Sequence, residues 1–217
     1  MLFFAIFGSS KSYNLSNVAK NVTVYPDQVV FIRHAEKNES YDPININAMG
    51  QARARELPRY FSKLVAHGML KKQPDLLVAM KMKNRTTSNR PIESINPLSN
   101  ALQRPLQFNY TQDQLPEVIQ SVNNPSNTGK TVVICFEHNH LVPIAQGFGI
   151  PAQGWNIQGI GNATDSNEEF TILWLLSKNG NSSSSNFKTL HMFQMDKTNT
   201  PVYNPTTFTP IVNTNVA

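Results

Sequence analysis

Three short apolar runs, each continuous rather than alternating, constrain this 217-residue chain more than any other feature. They are VVFI at 29–32 within DQVVFI, DLLVAM at 75–80 and TVVICF at 131–136. A strand with one face in water alternates apolar and polar residues, so an unbroken run implies a strand covered on both faces. After the first run comes NAMGQARARELPRYFSKLVAHG (47–68), where Met49, Ala52, Leu57, Tyr60, Phe61 and Leu64 recur at helical spacing, with Asn47 as cap and Gly68 as stop. Pro58 is expected to kink or divide that helix. A second helix is expected over PIESINPLSNAL (91–102), opened by Pro91 and shortened or bent by Pro97. A third falls in TQDQLPEVIQSV (111–122), and a fourth in NHLVPIAQGFG (139–149), with Leu141, Ile144, Ala145 and Phe148 on one face. EFTILWLL (169–176) and FKTLHMFQM (187–195) read as two last strands, separated by the low-complexity SKNGNSSSSN. Strands alternating with helices imply an α/β fold, a three-layer sandwich whose mostly parallel central sheet carries helices on both faces.

The length suits one such domain, with no internal repeat: residues 1–27 read as an N-terminal extension and 28–217 as the domain. Nineteen Lys and Arg against fourteen Asp and Glu leave a formal +5, but charged residues are only 15% of the chain and no basic run exceeds two residues. That pattern argues against nucleic acid as a partner and suits a small anionic substrate. No apolar run approaches the ~20 residues of a membrane-spanning helix, so no integral membrane segment is expected. The single Cys135 precludes an internal disulfide framework and reads as a small buried hydrophobe. MLFFAIFGSSKS at the start has the apolar core and small-residue tail of a signal peptide without its positive n-region. It leans the reading toward export or a periplasmic location, with the cytoplasm as the alternative. Nothing in the sequence fixes an oligomeric state.

In a sheet of this kind ligands bind beyond the carboxyl ends of the strands. Arg33 and His34 follow the first run, Glu137, His138 and His140 follow the third, and Arg90 lies in the segment after the second. All can converge on one crevice. Two arginines and two histidines suit a tetrahedral dianion, because guanidinium groups offer fixed forks to phosphoryl oxygens and stay charged at any working pH. A neutral imidazole can in addition attack phosphorus.

FIRHAEK, then INAMGQARARELPRYF, then SNRPIESINPL, then VVICFEHNHLVPIA together resemble the histidine phosphatase superfamily, the phosphoglycerate-mutase-like proteins. The resemblance runs from about Val29 to Trp174. It implies that Arg33 is the motif arginine, His34 the histidine that becomes transiently phosphorylated, Arg90 the second phosphate-binding arginine and His138 the second pocket histidine. Ala35 stands where the motif has glycine, and Asn47-Ala48 where Leu-Ser/Thr is usual, while Gly50 is kept. Arg85 competes with Arg90 and ranks below it, because Arg90 directly precedes the helix start. Glu137 has two readings: the general acid that protonates the leaving oxygen, or a carboxylate paired with Arg33 or Arg90. Glu36 and Lys37 are expected at the pocket mouth, an ordinary surface ion pair being the alternative. His140 is expected to orient the pocket, His67 and His191 to be structural, Trp155 to lie at the rim and Trp174 in the core.

The implied activity is a phosphomonoesterase acting on a small phosphorylated substrate, with no metal or organic cofactor. A mutase fits less well, since the segment between Arg90 and TVVICF is short and poor in basic groups. The alternatives are a phosphate-binding pseudoenzyme and a metal-binding protein using Glu137, His138 and His140, with His34 as a fourth ligand.

Overall fold

A computed structural model of the chain describes residues 23–37, 42, 44–84, 88–150, 168–179, 185–204 and 207–216. The N-terminal segment, Arg85, Trp155 and most of the loops 38–46 and 151–168 lie outside the described residues. In chain order the elements are β1 (Gln28–Arg33), α1 (Ala48–Ala66), β2 (Leu76–Ala79), α2 (Arg90–Leu102), β3 (Leu106–Gln107), α3 (Leu115–Val122), β4 (Thr131–Phe136), α4 (His138–Gly147), β5 (Ile172–Lys178), β6 (Ser185–His191), β7 (Gln194–Met195), β8 (Pro201–Val202) and β9 (Pro210–Val216).

Seven of these strands form one sheet in the order β3-β2-β4-β1-β5-β6-β9, and β7 with β8 makes a separate small hairpin. β1, β4, β2 and β3 pair in parallel, while β5, β6 and β9 join by antiparallel pairing. Five strands (β1, β2, β3, β4, β6) therefore point one way, and β5 and β9 point the other.

The continuous apolar runs are explained by what covers them. In β1, Val29 and Phe31 face a core shared with α3 and α4, while Val30 and Ile32 face a second core shared with α1 and α2. β4 divides in the same way, with Val132, Ile134 and Phe136 on the first side and Val133 and Cys135 on the second. Both faces are dry, so every residue of β1 and β4 is buried. Each buried Val, Ile or Phe contributes about 1.5–3 kcal/mol relative to exposure, which outweighs any alternation rule. The placement of helices follows from handedness. β1-α1-β2 and β2-α2-β3 step toward one edge and β3-α3-β4 steps back, so right-handed crossovers put α1 and α2 on one face and α3 on the other.

Two expectations need correction in one respect: neither internal proline interrupts its helix. α1 is continuous over Ala48–Ala66 and is not divided at Pro58, and α2 runs its full length through Pro97. A proline removes one intrahelical hydrogen bond. In α1, Leu57, Tyr60, Phe61 and Leu64 are all essentially inaccessible to solvent, and burying that face outweighs one lost bond. Asn47 caps α1 as expected, its side chain accepting from the Gly50 N–H at 2.8 Å. Gly68, at φ +70°, follows its end. Trp174 is core, edge-on to Phe187, and His67 stacks on Phe208 at 4.1 Å. No helix among the described residues is long and apolar enough to cross a membrane.

Candidate functional site

The parallel register of β1 and β4 decides where the chemistry collects. Arg33 is paired with Phe136 at the last rung, and the His34 N–H continues the ladder by donating to the Phe136 carbonyl at 3.1 Å. His34 and Glu137 thus leave the sheet side by side at its carboxyl edge. β2 ends on the same edge, where the Met80 N–H donates to the Cys135 carbonyl. α2 begins at Arg90 and α4 at His138, so both helix N-termini face this edge. Their exposed N–H groups add positive potential where an anion would sit.

His34 is 2% exposed, and its Nδ1 lies 2.7 Å from the Ala35 carbonyl. A carbonyl only accepts, so Nδ1 carries the proton and Nε2 the lone pair. Burial, above all, holds the ring below the ordinary imidazole range, at about 3; the Ala35 carbonyl opposes this, and the charges of Arg90, Arg33 and His138 add to it. His34 is therefore a neutral imidazole across the physiological range, with the lone pair of Nε2 on the side away from Ala35.

Two arginines flank it. The Arg33 guanidinium lies 4.2 Å over the Phe170 ring, within cation–π range, and the same ring sits 5.9 Å from that of His34. Arg90 is held at two points: Nε donates to Ser88 Oγ at 2.6 Å and Nη2 to Glu137 Oε1 at 2.8 Å. Glu137 Oε2 lies 3.5 Å from His140 Nδ1. Burial lowers the pKa of His140, against the opposing charges of Glu137 and Asp113. Among the described residues, no group of three or more His, Cys, Asp and Glu is arranged to hold a metal ion. The Glu137 carboxylate is directed to Arg90 instead.

The backbone around His34 is fixed from behind. Ser94 accepts from the Ala35 N–H at 2.7 Å and donates to the Arg90 carbonyl at 2.7 Å, which ties the loop after β1 to the first turn of α2. Glu93 accepts from the Ile46 N–H. Gly50 lies so close to the loop that a Cβ there would meet the Glu36 carbonyl oxygen at 2.4 Å. The glycine is required by this approach. Gly50→Ala is expected to destabilise the fold by about 1–3 kcal/mol through overpacking against backbone and to reduce any activity that depends on His34, as read by thermal unfolding and a phosphatase assay. Unchanged stability would contradict the close approach.

Glu36 is not at the pocket mouth, nor is it part of a surface pair. It is 5% exposed and chelated by Arg53, whose Nε lies 2.9 and 3.0 Å from its two oxygens. Arg53 also donates to the Phe193 carbonyl at 2.7 Å. The reason is position: Glu36 points back under α1, where an unpaired carboxylate is untenable and Arg53 from the first turns of the helix satisfies it. Lys37 is half-buried and bridges to Ile46 through the backbone. The sequence reading missed Arg53, Ser88, Ser94 and Phe170. The available signal for Arg53 is its place on the apolar stripe of the helix, four residues before Leu57 and seven before Tyr60, and Phe170 has none.

No family model matches the chain, and no curated protein matches it. Among solved structures it is similar to a protein assigned as the phosphohistidine phosphatase SixA of Agrobacterium tumefaciens, at 16% identity over 71% of this chain and 93% of that one, with a TM-score of 0.42. A SixA assigned likewise from Nakamurella multipartitia gives 14% identity, 69% and 83% coverage and a TM-score of 0.38. A mycobacterial glucosyl-3-phosphoglycerate phosphatase, solved with inorganic phosphate, gives 12% identity, 70% and 90% coverage and 0.40.

Proposed function

We propose that the chain is a phosphatase, a phosphomonoesterase of the histidine phosphatase type that acts through a phosphohistidine on a small phosphorylated substrate. The observation that carries this is His34: a buried imidazole, neutral, with its tautomer set by Ala35 and flanked by the charges of Arg33, Arg90 and His138. A structural histidine does not need two arginines, and an anion site does not need a neutral imidazole with an oriented lone pair. Nucleophilic attack on phosphorus uses both.

In the mechanism, His34 Nε2 attacks the phosphorus in line while Arg33, Arg90 and His138 stabilise the equatorial oxygens. The alcohol departs with a proton from Glu137, and water then cleaves the phosphohistidine. His140, beside Glu137, steadies that carboxylate. This reading uses no metal ion.

The test is hydrolysis of p-nitrophenyl phosphate and a panel of phosphorylated metabolites and phosphopeptides by the purified protein. Turnover is expected that survives a chelator and is blocked by vanadate. Phosphate binding without turnover would favour a pseudoenzyme, and loss of turnover with a chelator would favour a metal-dependent site.

A further inference from the structure

The Arg90–Glu137 ion pair has a consequence for the charge that the pocket accepts, and that consequence rests on the phosphatase reading above. Both partners are largely shielded, with side chains 11% and 21% exposed. Among the described residues, the groups that face this spot are Arg33 and His34 at the end of β1, Arg90 opening α2, and His138 and His140 on α4. Asp113, ion-paired with Lys83, stands in the loop before α3. His34 and His140 are both held toward the neutral form by burial. Setting His138 aside, the pocket wall then carries, among the described residues, two guanidinium charges and one carboxylate, which the 2.8 Å contact places on the very arginine that a phosphoryl group would use.

A phosphoryl dianion binding to Arg90 would bring two negative charges against a shielded third, a like-charge contact that the site relieves by taking up a proton. We propose that the Arg90–Glu137 pair makes phosphoryl binding proton-coupled: the pocket takes a phosphoryl dianion together with one proton, which Glu137 receives. The substrate class that fits is a phosphoryl group entering with one net negative charge, either as the monoanion or as the dianion plus a proton from solvent. These two routes reach the same complex. The device also loads the acid. When the P–O bond breaks and the His34 Nε2–P bond forms, the proton taken up on binding is the one that passes to the departing oxygen.

Isothermal titration of inorganic phosphate, in buffers of differing ionisation heat, counts the protons taken up. About two pH units above the second ionisation of phosphate, the wild-type protein is expected to take up about one proton per phosphate bound, and about two units below it almost none, because the ligand then arrives with its own. Affinity should fall about tenfold per pH unit on the alkaline side. In Glu137→Gln the uptake should vanish and the alkaline decline should level off, with the thermal midpoint reporting that the variant is folded. Alkaline binding by the wild type without proton uptake overturns the proposal while leaving the phosphatase reading intact, and needs no variant. Uptake that persists in Glu137→Gln also overturns it, assigning the proton to His138 or His140. A protein that binds no phosphate and hydrolyses no phosphomonoester sinks both readings together.

Discussion

His34→Ala should abolish phosphatase activity, by on the order of 10⁴-fold or more, the scale on which removal of a covalent nucleophile acts. The expectation follows from geometry more than from residue type. With Nδ1 committed to the Ala35 carbonyl, the ring presents one lone pair and cannot rotate without breaking a 2.7 Å hydrogen bond. Its neutral form requires no deprotonation before attack. A wild-type reaction stopped during turnover in base should therefore retain a phosphoryl group that acid releases, the lability of phosphohistidine. In His34→Ala that trapped group should be missing. His34→Asn is the better control for stability, because it keeps a hydrogen-bond donor near the Ala35 carbonyl and fills part of the space left beside Phe170. It should fold like the wild type and trap nothing. Label recovered on another residue, or turnover that survives either substitution, would refute the assignment.

Three of the four parallel strands, β1, β2 and β4, are legible because they announce themselves: an unbroken apolar run is hard to place anywhere but under helices on two sides, whereas the two-residue β3, Leu106–Gln107, carries no such run. The antiparallel half was legible only in part. EFTILWLL and FKTLHMFQM predict β5 and β6, although the second run breaks after His191 and its Gln194–Met195 pairs with β8 instead, while β9, PIVNTNV, carries Asn213, Thr214 and Asn215 in succession and follows a turn-rich stretch, so its local pattern does not declare a strand. It forms because β6 offers it an open edge, a tertiary cause with no local signal. The prolines failed as helix breakers for a related reason. Propensity prices one lost hydrogen bond, whereas the burial of Tyr60, Phe61, Ile95 and Leu98 is settled by the whole core.

The candidate site shows the same division. Arg33, His34, Arg90, Glu137, His138 and His140 were legible as strand-end and helix-start residues, and the structure brings Arg33, His34, Arg90 and His138 within electrostatic reach of one another. Their supports were not. Ser94 and Arg53 act through side chains that turn inward from helices, and whether a polar helical residue faces solvent or a buried partner depends on what lies above it. Glu36 was misplaced for that reason. Its charge suggested a pocket mouth, and only the position of Arg53 shows that it locks the loop from beneath.

Arg90→Ala carries the second large expected effect, a loss of about 10²–10³ in kcat/KM, or roughly 3–4 kcal/mol of transition-state stabilisation. Ser88 and Glu137 pin two nitrogens of its fork, so the guanidinium is aimed before substrate arrives and little reorganisation is needed as charge develops on the equatorial oxygens. Arg90→Lys should recover only part of the loss, since an ammonium keeps the charge but neither the fork nor its two fixed bonds. Phosphate should inhibit both variants less well. Part of the loss has a separate source: without Arg90 the Glu137 carboxylate is a half-buried negative charge facing an incoming anion. A double-mutant cycle separates the two contributions. In a Glu137→Gln background that repulsion is absent, so Arg90→Ala should cost less there than in the wild type, with a coupling of about 0.5–3 kcal/mol, the range for residues in direct contact. Additive losses would mean that the pair is not energetically joined. A large loss on Arg85→Ala with little on Arg90→Ala would instead move the second phosphate-binding arginine to Arg85, and the ion pair with Glu137 would then be a support beside the site, not part of it.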